Sequence, residues 1–192
     1  MKELTLYIDK WYIIGAVCTD GVPRLVIPNN KEDRYWLYFY EDTTNNEIVY
    51  GKDNQSHYRN NEPHYYGDIF SKMTQSDSHF LYYNRKQELC DIFKASRILA
   101  SLRESMDMTE TETVETYVSF SKDISDDARF LFLTKVLGQN HFYVKESVAR
   151  IEHLTLEHSV RNNKLKDDGF ILVLNACNEN LHYALYQKTD DL

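Results

Sequence analysis

The carboxylates best placed for chemistry are Asp9, at the end of an apolar first segment, and then Asp123 and Glu146. Carboxylates gathered at one end of a sheet can hold a divalent metal and activate water for phosphodiester cleavage, so a metal nuclease is one reading of the chain. The charge balance speaks against it. Thirty acidic residues against 22 Lys plus Arg give a net charge of −8, with no basic tract to collect a phosphate backbone, and nucleic acid is not expected as a partner. His57 and His64 flank an Asn-rich stretch without a third ligand at useful spacing, and His141, His153, His158 and His182 are scattered, so no metal site is expected. Cys18, Cys90 and Cys177 form no Cys-x-x-Cys pair, which suggests neither a disulfide framework nor a thiolate zinc site.

The elements that would carry these residues follow from periodicity. Leu4, Leu6 and Ile8, then Ile14, Ala16 and Cys18, then Leu25 and Ile27 alternate with the period of half-buried strands around a turn at Asp20-Gly21-Val22-Pro23, predicting a three-stranded antiparallel meander. Residues 30–80 are read as an inserted Tyr-rich subdomain, with a strand from Arg34 to Tyr40 and a turn at Asn45-Asn46 before Ile48-Val49-Tyr50. Leu89, Ile92, Phe93, Ile98, Leu99 and Leu102 mark one face of a helix between Leu81 and Glu104. The acidic connector Glu110 to Glu115 reads as a solvated loop.

A strand Tyr117–Phe120 follows. Ser125 or Asp126 can cap the next helix, whose face Phe130, Leu131, Leu133 and Leu137 should stop at Gly138. After a strand His141–Val144, Glu146 is expected to open a helix carrying Val148, Ile151, Leu154 and Thr155. Phe170–Leu174 and Leu181–Tyr186 around Asn178-Glu179-Asn180 read as a terminal hairpin. Three antiparallel strands followed by alternating helices and strands predict an α/β fold with a ribonuclease-H-like sheet over residues 1–168, plus a β-hairpin over 169–192.

At 192 residues and 22.8 kDa the chain suits one domain with an insertion. No stretch approaches the roughly 20 apolar residues that span a bilayer, and the start Lys2-Glu3-Leu4-Thr5 is no secretion signal, so a cytoplasmic protein without a membrane partner is expected. The number that asks for explanation is 15 Tyr, concentrated between Tyr35 and Tyr83.

Several strings are collinear with the actin-like ATPase superfamily. Tyr7-Ile8-Asp9 and Val26-Ile27-Pro28-Asn29, Val49-Tyr50-Gly51, Tyr66 to Met73, Thr116 to Phe120, Asp127-Ala128-Arg129, Glu146-Ser147-Val148-Ala149 and Ile171-Leu172-Val173-Leu174-Asn175 resemble the first lobe of seventy-kilodalton heat-shock chaperones. The resemblance implies a nucleotide site at Asp9, Trp11, Tyr12, Glu146 and Asn175, and a hairpin 169–192 similar to the start of that family's second lobe.

The same comparison shows what is lost. The family wraps phosphates with two Gly-rich turns, because only Gly lets the main chain approach so closely. Here Lys10-Trp11-Tyr12 and Ala176-Cys177-Asn178-Glu179 stand in their places, Asn175 replaces a metal-holding Asp, and the catalytic Lys falls at Gln55 or at Lys52. The expected protein is a degenerate, non-hydrolysing ATPase lobe with no catalytic residue and no cofactor, acting as an interaction or scaffold module. Two alternatives stay open: a chaperone-like ATPase using ATP and Mg and completed by a second lobe, and the metal nuclease. Tyr35, Trp36, Tyr38, Tyr58, Tyr65 and Tyr66 form the candidate contact surface for a protein partner, their apolar bodies and polar tips suiting recognition, unless they form the insertion's own small core. A hairpin as apolar as Phe170–Leu174 should not stand with open edges, which points to packing on the first lobe, a longer chain, or pairing with a second copy.

Overall fold

A computed structural model describes residues 3–28, 32–45, 47–73, 91–109, 111–147, 170–177 and 180–187. In chain order the strands β1 (Glu3–Ile8), β2 (Tyr12–Thr19), β3 (Val22–Val26), β4 (Tyr35–Trp36), β5 (Phe39–Asp42) and β6 (Glu47–Tyr50) precede helix α1 (Asn54–Arg59), strand β7 (Tyr65–Tyr66) and helices α2 (Ile69–Met73) and α3 (Asp91–Glu104). Then come β8 (Val114–Phe120), α4 (Asp126–Leu131), β9 (Phe142–Ser147), β10 (Phe170–Cys177) and β11 (Asn180–Gln187). The protein is mixed α/β. Its main sheet runs β3-β2-β1-β8-β9, antiparallel through the first three strands and parallel from β1 to β8 to β9, with β4 also paired to β2.

The meander forms where alternation and turn chemistry agree. Asp20 and Gly21 both hold positive φ between the paired Thr19 and Val22, the backbone that a two-residue hairpin loop requires and an Asp-Gly pair supplies. The phase of β2 is opposite to expectation. Leu4, Leu6 and Ile8 are buried, and their partners across the ladder are Val17, Gly15 and Ile13, so these face the core while Ile14, Ala16 and Cys18 lie half-buried on the other side. Gly15 pairs with Val26, which places Val26 in the core and leaves Leu25 and Ile27 exposed. Because Tyr12 to Val17 is apolar on both faces, alternation alone could not choose between them.

The described part of segment 30–80 contributes to the same core. Tyr35, Leu37, Phe39, Ile69 and Phe70 are buried in one cluster with Leu4, Leu6, Ile98, Leu99, Leu102 and Phe132. The expected strand Arg34–Tyr40 is broken at Leu37-Tyr38. Its first part joins β2, and its second leads a small sheet of order β6-β5-β7. The predicted helix appears as α3, with Ile98, Leu99 and Leu102 buried, while Leu81 to Cys90 lie outside the described residues.

Four further expectations are corrected. The acidic connector is shorter than read, since Val114 and Glu115 already belong to β8 and Arg103 is bonded to the carbonyls of Thr109, Glu112 and Asn140. Ser125 does cap α4, accepting from the Ala128 N–H, but the buried face is Ala128, Phe132, Val136 and Leu137, and Phe130 is exposed. A wider π-helical turn, Phe132–Leu137, shifts the side chains round relative to a regular helix. Gly138 keeps right-handed helical angles, and the left-handed residue that ends the run is His141 at φ 60°. Glu146 opens no helix: it sits within β9, opposite Tyr117, just past an irregularity in the ladder. The helix expected over Val148 to Thr155 lies outside the described residues.

The terminal hairpin is present as a separate two-stranded sheet of β10 and β11. No helix among the described residues is long and apolar enough to cross a membrane.

Candidate functional site

Strands β1 and β8 are parallel neighbours, yet the chain leaves β1 for β2 on one side and β8 is followed in the sheet by β9 on the other. In open α/β sheets, the carboxyl ends of strands at such a divergence form the usual crevice for a ligand. Asp9 and Ser121 are the first residues past those two ends, and the Ser121 N–H donates to the Ile8 carbonyl at 2.8 Å, drawing the ends together.

Here the crevice is occupied by the protein's own groups. Asp9 is 0 % exposed. Its Oδ1 accepts the Trp11 N–H at 3.0 Å, and its own N–H donates to the Tyr12 carbonyl at 2.9 Å, so Lys10 and Trp11 form a two-residue loop folded over the carboxylate. The Leu37 N–H donates to the Trp11 carbonyl at 2.8 Å, tying that loop to the chain just after β4. The indole of Trp11 stacks on Tyr38, ring centres 5.4 Å apart and planes within 8°, and Tyr58 tilts against it at 6.2 Å. A stacked and a tilted contact on one ring add about 0.5–1.5 kcal/mol each beyond area burial.

The flanks are equally filled. Lys10 Nζ lies 2.8 Å from Asp68 Oδ2, and Asp68, at φ 52°, also accepts from the Ser71 hydroxyl at 2.8 Å at the start of α2. On the other flank, Ser121 Oγ accepts the Asp123 N–H at 3.4 Å, and the Ser121 carbonyl accepts from Arg129 Nη2 at 3.0 Å. Phe132 meets Phe70 at 5.4 Å and Phe120 at 6.1 Å, which joins α2 and β8 to the π-helical turn that follows α4.

The positions expected to act together are dispersed. Glu146 is level with Tyr117, and Tyr117 with Thr5. Its backbone is therefore two strand spacings, ~10 Å, to the side of β1 and four residues, ~13 Å, back from Asp9. Asn175 belongs to the separate hairpin, opposite His182. Gln55, one of the two positions for a catalytic Lys, donates from Nε2 to the Tyr38 hydroxyl at 3.0 Å, and Lys52 lies over the Trp36 ring at 5.6 Å. Among the described residues no three His, Cys, Asp or Glu side chains are grouped to hold a metal.

The aromatic surface divides in two. Tyr35 and Tyr38 are buried, so a partner on this side would meet Trp36, Tyr58, Tyr65 and Tyr66, which are half-buried. Burial pushes the Tyr35 hydroxyl up to about 12, and raises Tyr38 and Tyr58 as well. Tyr12 meets Trp36 edge-on at 5.7 Å, and the Arg34 guanidinium covers both rings at 4.7 and 5.3 Å. Tyr65 packs between Tyr40 at 4.8 Å and His57 at 4.5 Å, and His57 Nδ1 lies 2.8 Å from Glu62. Sequence reasoning missed the Lys10–Asp68 pair, the Arg34 cover and Gly67, where an added Cβ would lie 3.0 Å from Tyr58 and 3.1 Å from Tyr38. No local signal marks them, since each depends on segments brought together by the fold.

No protein-family model matches the chain, and no curated protein matches it.

Proposed function

We propose that the chain is a ribonuclease-H-like lobe of the actin-like, chaperone-ATPase type whose nucleotide crevice is filled by its own side chains, and that it works as a non-hydrolysing protein-interaction module. The strand order β3-β2-β1-β8-β9 with its antiparallel and parallel halves supports the fold assignment. The observation that carries the functional reading is Asp9 at 0 % exposure beneath the Lys10-Trp11 loop. Phosphoryl transfer needs metal, phosphate clamp and positioned water together. A carboxylate closed off from solvent, beside a loop whose side chains occupy the phosphate space, offers none of these to a nucleotide. The half-buried aromatic surface of Trp36, Tyr58, Tyr65 and Tyr66 supports partner recognition, since such rings present large area at small entropic cost.

Calorimetry with ATP or ADP in the presence of Mg²⁺ tests this reading. The expected result is no saturable heat at millimolar nucleotide; micromolar, Mg²⁺-dependent binding would overturn it.

A further inference from the structure

The two faces of the terminal hairpin are unlike. The ladder pairs Leu172 with Leu185 and Leu174 with Tyr183, and the same alternation puts Phe170 and Leu181 on that side. These six side chains are 55–68 % exposed, and none is charged. On the opposite face Val173 is 8 % exposed, and Ile171, Ala184 and Tyr186 are half-buried. The hairpin thus has one covered face and one open apolar face, and among the described residues no other strand pairs with either edge.

We propose that this open face packs against the same face of a second copy of the chain, making a two-fold symmetric dimer. Two aromatic rings and four leucines at these exposures offer roughly 600–700 Å², close to the ~800 Å² per partner of a standard interface. The backbone edges and rim residues supply the remainder. Single soluble chains rarely leave a contiguous apolar patch above ~600 Å² open. A two-fold contact also needs a self-complementary patch, and this one has it. The face carries three of these residues on each strand, 170, 172 and 174 on β10 and 181, 183 and 185 on β11, so an uncharged apolar row of one copy can meet an apolar row of the other. Charge confines the contact to this face. Two chains of net charge −8 repel over most of their surface, and an uncharged face is where they can meet with least cost. The inference goes beyond the proposed function and does not rest on it, because mass in solution is independent of nucleotide heat.

The test is light scattering coupled to size exclusion on the full chain at 1–100 µM (about the range that separates weak from stable dimers). The expected mass is twice 22.8 kDa. Leu174→Lys and Leu174→Glu should each weaken association at least ~100-fold, and mixing the two should restore the doubled mass through opposite charges. Far-ultraviolet circular dichroism checks that each variant keeps the fold. A wild-type chain at single mass throughout the range would overturn the proposal, whether the face is covered by a different protein or by more chain. So would a dimer that both variants leave intact. If a variant unfolds, the wild-type mass together with Leu172→Lys decides.

Discussion

Trp11 and Tyr38 lie face to face, 5.4 Å between ring centres, with Trp11 in the loop that closes over Asp9 and Tyr38 in the segment that follows β4. One contact therefore joins the first hairpin to the Tyr-rich segment. Tyr38 is held in turn by Gln55 at its hydroxyl and by Asn54, whose side-chain N–H donates to its carbonyl at 3.3 Å. The concentration of tyrosines thus has a structural use: some of their rings fill space over the strand ends and others remain at the surface.

Breaking this stack should cost stability from either side. Trp11→Ala and Tyr38→Ala are each expected to lower the unfolding free energy by about 2–4 kcal/mol, Tyr38 the more because it is fully buried. Urea denaturation of both single variants and the double variant should give a coupling energy of about 0.5–1.5 kcal/mol. Additive effects would mean that the rings do not support one another.

Gly67 lies against two of the same rings. A methyl group there meets Tyr58 at 3.0 Å and Tyr38 at 3.1 Å, tighter than most real Cβ contacts, so a ring must give by a few tenths of an ångström. Gly67→Ala should destabilise by about 1–3 kcal/mol through overpacking. It should also alter the near-ultraviolet circular dichroism of the aromatic cluster. A variant as stable as wild type, with an unchanged spectrum, would place the rings elsewhere.

The sequence made the element order legible because strand alternation, the Asp20-Gly21 turn and the Ser125 cap are local signals. Where both faces of a strand are apolar, as at Tyr12 to Val17, the inward side is decided by the neighbour: Ile8 faces Ile13, and Gly15 faces Val26. Asp9 could be picked out as a strand-end carboxylate, but its burial depends on Trp11, Leu37 and Asp68, which only the fold assembles. Glu146 reads as a helix start because it is a charged residue ahead of an apolar-periodic run, whereas β9 continues three residues past the expected end at Val144, to Ser147, paired with β8.

Arg103 is nearly fully buried and bonds three backbone carbonyls: that of Thr109 at 2.8 Å, that of Asn140 at 3.1 Å, and that of Glu112. It fastens the connector before β8 to the end of the helical run before β9, while its guanidinium covers the Phe142 ring at 5.2 Å. Arg103→Met should cost about 2–4 kcal/mol, as the carbonyls lose charge-assisted bonds while the apolar stem is retained. Arg103→Lys should recover only a minor part, because an ammonium cannot reproduce the planar fork. Thermal melts read the order wild type, Lys, Met.

The buried tyrosines predict the alkaline limit of the fold. Burial holds the Tyr35 hydroxyl up to about 12, against an ordinary value of 10.0, and the raised values of Tyr38 and Tyr58 act in the same direction. Between pH 10 and 12 the native state therefore keeps protons that the unfolded chain has released, and stability must fall as pH rises. Below pH 10 both states are protonated and the contribution is fully present; above 12 it is gone. Urea midpoints measured from pH 9 to 12 should be level at first and then decline, and tyrosinate absorbance at 295 nm, roughly the usual phenolate band, should be lower at pH 11 in the folded protein than in urea. Equal absorbance in the two states at pH 11 would show that these hydroxyls titrate freely and are not buried.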